Sequence, residues 1–123
     1  MDKLFAAEHY YRIKKYFDLS KHLYDLSILL NDNRINKLFK NDDLFSTILK
    51  IQLDEEKVRF GGISDFNSFN DFQFGDNLSN DVLIKNFNQM QSIYVLNNSD
   101  IIKYEEMKEK IKFLFNEIKD HKI

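Results

Sequence analysis

An all-α fold, a bundle of five to six helices with one long Phe-rich loop over about 61–77, is predicted by three observations. Tyr104, Met107, Ile111, Leu114 and Ile118 recur three and four residues apart, the spacing of one helix face. Leu23, Leu26, Leu29 and Leu30 form a second such stripe within SKHLYDLSILL. Gly61 and Gly62 close a third helical stretch, because glycine tolerates the left-handed geometry that ends helices.

The elements follow in order. A first helix is expected from Asp2 to Tyr16, with Leu4, Ala7 and Tyr11 on its apolar side and Lys14 and Lys15 on a basic one. Asp18 or Ser20 is the expected cap of the second, Lys21 to Leu30, since a short side-chain oxygen accepts from free first-turn amides. After a turn at Asn31–Asn33, a short helix covers Arg34 to Phe39. Asn41 or Asp42 opens a longer one from Asp43 to about Phe60, with Leu44, Ile48, Ile51 and Val58 near one face and Asp54 to Lys57 in solvent. Residues 63–77 show no helical period, yet Phe66, Phe69, Phe72 and Phe74 are too apolar for a free linker and are expected to pin the loop onto the helices. Asn77 or Ser79 starts a helix to about Leu96, and Ser99 or Asp100 caps the last. The period of that last helix extends over two heptads, short for an independent coiled coil, so its apolar face is read as core. With no internal repeat and no composition break, residues 1–123 read as a single helical domain.

Composition narrows the function classes. Apolar residues make up 43% and charged residues 31% of the 123, which argues for a folded chain. No cysteine is present, so disulfides, thiolate catalysis and cysteine zinc sites are excluded together. The three histidines His9, His22 and His121 lack HExxH spacing, which argues against a histidine metal site. No apolar run approaches the roughly 18 residues of a membrane span, and the chain opens on a charged helix rather than a signal peptide. A cytoplasmic protein is the expectation. A formal charge of −2 speaks against indiscriminate nucleic-acid binding. Arg12, Lys14, Lys15 and Lys21 form a modest basic strip, as a solvated helix end also would.

Within the second stripe, Lys21, His22 and Asp25 sit on a helix otherwise built for burial. Lys21 and Asp25 are a turn apart, so an ordinary surface ion pair between them is one reading. Part of a site is the other.

Lys21, His22, Leu23, Tyr24, Asp25 and Leu26 match, position for position, the (R/K)-H-x-Y-D-(L/I) stretch of the AbiEii/AbiGii toxins, nucleotidyltransferases of abortive-infection and toxin–antitoxin systems. DKLFAAEHYY (Asp2 to Tyr11) resembles the helix before that motif, with Lys3 as the matching lysine. The later helices, including NFNQMQSIYV (Asn86 to Val95), follow the same order, so the chain resembles the C-terminal half of such a toxin. The N-terminal core with its Gly-Ser turn and Asp-x-Asp carboxylates has no counterpart. Gly61 to Ser64 followed by Asp71 to Phe74 imitates it, but Gln73 stands where a metal-binding acid is needed and the segment lies on the wrong side of the motif.

The resemblance implies Lys3 and Asp25 as catalytic residues from two successive helices, with Lys21 and His22 as substrate-binding candidates. Lys3 would pair with triphosphate oxygens and stabilise charge as pyrophosphate leaves. Asp25 would orient or deprotonate the acceptor, or hold the lysine. Mg²⁺ and a nucleoside triphosphate are implied only when a complete core is supplied, because positioning without metal leaves phosphate charge unneutralised. The implied partners are that core or a cognate antitoxin, and an RNA acceptor. The alternative is a non-enzymatic helical interaction module, either an antitoxin-binding remnant or a phage-defence or immunity protein.

Overall fold

A computed structural model describes residues 2–59 and 72–118. Among these residues there are six α-helices and no strand: α1 Asp2–Arg12, α2 Tyr16–Leu29, α3 Asn33–Phe39, α4 Asp42–Arg59, α5 Asp81–Tyr94 and α6 Tyr104–Ile118. Short 3-10 turns at Phe74–Asp76 and Asn98–Asp100 precede α5 and α6. The all-α expectation holds.

The first boundary differs from expectation. α1 stops at Arg12 and α2 begins at Tyr16, so Asp18 and Ser20 lie inside α2 instead of capping it. Lys14 adopts φ 60°, its N–H donates to the Tyr11 carbonyl, and the Lys15 N–H reaches back to that of Tyr10. That pair of bonds is a Schellman closure, which ordinarily recruits glycine at the left-handed position. Here lysine occupies it, leaving no sequence signal for the break. Ser20, displaced from its expected role, donates its hydroxyl to the Tyr16 carbonyl.

Of the other expected caps, only that of α4 falls where the sequence put it. Asp32 accepts from the Arg34 N–H and opens α3. Asn41 accepts from the Leu44 N–H at the start of α4. Asn80, rather than Asn77 or Ser79, accepts from Val82 and Leu83 to open α5. Neither Ser99 nor Asp100 caps the last helix; both belong to the 3-10 turn, which Asn97 caps.

α1 and α2 form an antiparallel hairpin, and α2 also packs against α5 and α6. Phe5, Leu19, Leu23, Leu83, Phe87, Met107 and Ile111 are fully buried between these helices. Truncating such a leucine to alanine costs about 2–5 kcal/mol. In α6 the five periodic residues Tyr104 to Ile118 are all buried, as their spacing requires. In α2 the stripe holds for Leu23, Leu26 and Leu30, but Leu29 is exposed. In α4 the buried row is Phe45, Leu49 and Gln52, whereas Leu44 and Ile51 face outward. Val58 and residues 60–71, including Gly61, Gly62, Phe66 and Phe69, lie outside the described side chains.

Phe72 and Phe74 are buried, as the pinned-loop reading requires. Phe72 meets Phe5 edge-on, and both it and Phe74 pack against Phe115 of α6. Gly75 is needed at this junction, since a Cβ there would lie 2.6 Å from the Phe115 ring. The segment before α6 is fixed by Gln91 of α5, whose side-chain amide donates to the Ile102 carbonyl and accepts from the Ile102 N–H.

Candidate functional site

The α1–α2 hairpin turns about residues 13–15, so the beginning of α1 lies beside the later turns of α2. Lys3 and Asp25 are thereby brought together across the two helices. Their Nζ and Oδ2 atoms are 2.9 Å apart, and the side chains remain 42% and 44% exposed. Asp25 therefore pairs with the other helix and not with Lys21, one turn back on its own. An ion pair at this exposure contributes about 0–1 kcal/mol, so it adds little to stability while remaining accessible from solvent.

His22 lies one turn before Asp25 and is half-buried. Its ring stacks on Tyr10 of α1 at 5.3 Å between centroids and 13° between planes, and Tyr10 in turn meets His9 edge-on. The His22 Nδ1 is buried with no hydrogen-bond partner. Burial, followed by the nearby Lys3 charge, pushes the imidazole pKa below its ordinary value, while Asp25 and Asp18 pull the other way. A neutral imidazole beside a lysine–carboxylate pair is the resulting charge pattern.

Lys21 is placed differently from its sequence neighbours. Its ammonium lies over the rings of Tyr94 of α5 and Phe17, 4.4 and 5.3 Å from their centroids. It is thus directed toward the α2–α5 seam, while Lys3, Asp25 and His22 gather on the α1 side. Within the basic strip, Arg12 also has a partner, lying 3.6 Å from the carboxylate of Glu8.

Tyr24, between His22 and Asp25 in sequence, donates its hydroxyl to the Asp100 carbonyl at 2.7 Å. That bond ties α2 to the turn preceding α6.

Glu8 was not foreseen as part of any network. It is fully buried and accepts the Gln73 N–H with both carboxylate oxygens. Burial raises its pKa, against the opposing influence of the Gln73 N–H, Arg12 and the Phe74 N–H. One signal was available: Glu8 stands four residues after Leu4 and three after Phe5, on the buried row of α1. Gln73 itself is exposed and supplies only main chain here; Gly61 to Asp71 lie outside the described residues.

Among the described residues, no group of three or more His, Asp or Glu is placed to hold a metal ion. None of the described helices is long and apolar enough to cross a membrane. No protein-family model, curated protein or solved structure matches this chain.

Proposed function

We propose that this chain is the helical, substrate-closing half of an AbiEii/AbiGii-type nucleotidyltransferase, acting with a core that supplies the metal-binding carboxylates. The observation that carries this reading is the 2.9 Å contact between Lys3 and Asp25. The two residues, 22 positions apart on successive helices, are those the resemblance assigns to the cleft, and they meet at an accessible edge of the hairpin.

In this reading Lys3 approaches the triphosphate and offsets charge that builds on the departing pyrophosphate. The contact favours Asp25 as the group that holds the ammonium in position. His22, held neutral by its surroundings, can donate or accept a hydrogen bond without adding charge. The metal and the paired carboxylates come, in this reading, from the core, whether on this polypeptide or another.

The test joins or mixes this half with a core bearing the Gly-Ser turn and Asp-x-Asp, and follows nucleotide transfer to an RNA acceptor. Transfer is expected only with both halves, and to fall at least about 100-fold in Lys3→Ala and in Asp25→Asn. Transfer at the full rate in both variants overturns the reading. The isolated half is expected to show no measurable binding of magnesium nucleotide.

A second reading, a non-enzymatic interaction module for an antitoxin or another protein, draws support from apolar side chains at the end of α5. Ile93 and Tyr94 are largely exposed and Leu96 is 97% exposed. Tight, core-independent capture of a cognate antitoxin, abolished in Leu96→Asp, would favour it.

A further inference from the structure

A polar cleft lies away from Lys3 and Asp25, between α6 and the segment that leads into α5. It has a volume of about 340 Å³ and is lined by Lys108, Lys112 and Asn116 on α6 and by Gly75, Asp76 and Ser79 opposite. We propose that this cleft binds a phosphate monoester carrying hydroxyl groups, a sugar phosphate either free or as part of a nucleotide.

The lining of the cleft points to that chemistry. Lys108, Lys112 and Asn116 succeed one another at four-residue intervals, so two ammonium groups and an amide share one helix face. Like charges one turn apart repel, and no described carboxylate forms an ion pair with either lysine. An anion placed between them relieves that repulsion and accepts charge-assisted hydrogen bonds.

The ammonium of Lys108 is already aimed. It donates to the Ser79 hydroxyl at 2.9 Å, which leaves its remaining protons for a ligand. The opposite wall is fixed in turn, because the buried Tyr104 hydroxyl donates to the Leu78 carbonyl next to Ser79. Asn77 donates to the Gln73 carbonyl on the other side. Glycine at 75 keeps that wall close, since any Cβ would run into the Phe115 ring.

Asp76 sets the remainder of the ligand. A carboxylate beside two lysines disfavours a bare polyanion, but it accepts from hydroxyl donors. The volume exceeds what a phosphate group alone fills and reaches the lower end of small-molecule sites, about 300 Å³. A hydroxylated phosphate ester satisfies both ends. The inference does not depend on the nucleotidyltransferase reading, since it uses neither Lys3 nor Asp25.

The experiment titrates the full chain with ribose 5-phosphate, adenosine 5′-monophosphate and inorganic phosphate, followed by amide chemical shifts in two-dimensional NMR. Saturable shifts at Gly75, Ser79, Lys108 and Lys112 with both esters are expected, with inorganic phosphate weaker by about tenfold. Lys108→Gln/Lys112→Gln, at a half-buried and an exposed position outside the core, should leave the spectrum dispersed and weaken both esters by at least about tenfold. Asp76→Asn should weaken ribose 5-phosphate and, by removing the charge that disfavours a bare polyanion, strengthen inorganic phosphate. Binding of adenosine 5′-monophosphate alone assigns the site to nucleotides and of ribose 5-phosphate alone to free sugar phosphates, and either supports the proposal. Absence of saturable shifts with either ester, equal affinity for inorganic phosphate, or undiminished binding in the double variant overturns it.

Discussion

Glu8 and Gln73, 65 residues apart, are joined by a buried carboxylate that accepts a main-chain N–H. The bond anchors the segment carrying Phe72 and Phe74 to the first helix. Removing the acceptor in Glu8→Ala leaves that N–H and the Arg12 guanidinium without it, at a cost of about 1–3 kcal/mol in urea unfolding. Glu8→Gln retains an acceptor and tests the charge instead. Because burial raises the folded-state pKa above the usual 4.5, the folded protein keeps this proton longer than the unfolded chain. Stability from this group is then greatest at acid pH, falls as pH climbs from about 4.5 through the raised value, and levels off above it. The Gln variant should lack that decline; an unchanged slope would reassign it to other groups.

His22 acts with the opposite sign. Its folded-state pKa lies below the usual 6.5, so its contribution is full above 6.5 and is lost as pH falls through the folded value. Ring-proton NMR should place its midpoint below 6.5. Lys3→Met should move that midpoint up by removing a repelling cation, and Asp25→Asn should move it down. Midpoints insensitive to both changes would mean that the imidazole does not sense the lysine–aspartate pair.

Lys14 holds a left-handed backbone at φ 60°, a conformation that costs a side-chain-bearing residue about 1–2 kcal/mol. Lys14→Gly relieves the strain while adding unfolded-chain entropy. A net gain of about 0.5–1 kcal/mol in thermal or urea unfolding is expected. A loss of stability would show that the lysine side chain contributes more than its backbone costs.

Gln91 serves the main chain of Ile102 with both ends of its amide, at 2.8 and 2.7 Å. Gln91→Leu keeps the volume but strands a buried N–H and carbonyl, for about 2–4 kcal/mol. Hydrogen exchange should reveal lost protection at the Ile102 amide before any change in the α6 interior. Unaltered exchange there would show that another acceptor takes over.

How far the architecture could be read from sequence depended on whether each residue's partner was local. The α6 face was legible because Tyr104 through Ile118 alternate cleanly with charged residues. The α4 face was not: Leu44, Ile48 and Ile51 keep the same spacing as Phe45, Leu49 and Gln52, and packing turned the face toward the second row, leaving Leu44 and Ile51 outside and Ile48 half-buried at the margin. The α1–α2 break went unseen because a lysine does the work that glycine usually signals. The meeting of Lys3 and Asp25 followed from the hairpin alone and survived the shift of its turn. The Tyr10–His22 stack did not follow, since it needs the rotation of two helices, and Glu8 could be placed on the buried row of α1 but not given its partner, an N–H that any non-proline residue could supply.

The bonds from Glu8 to Gln73 and from Tyr24 to Asp100 span 65 and 76 residues, and this has a kinetic meaning. Ribosomal synthesis delivers the α1–α2 hairpin before Gln73 and Asp100, the residues that tether it. Contacts of such sequence separation form only once the intervening chain is made, so the lysine–aspartate pair can meet within the hairpin first while the tethers that hold the hairpin to the body close later. Until they close, the apolar face of α2 that packs on α5 and α6 lacks its cover.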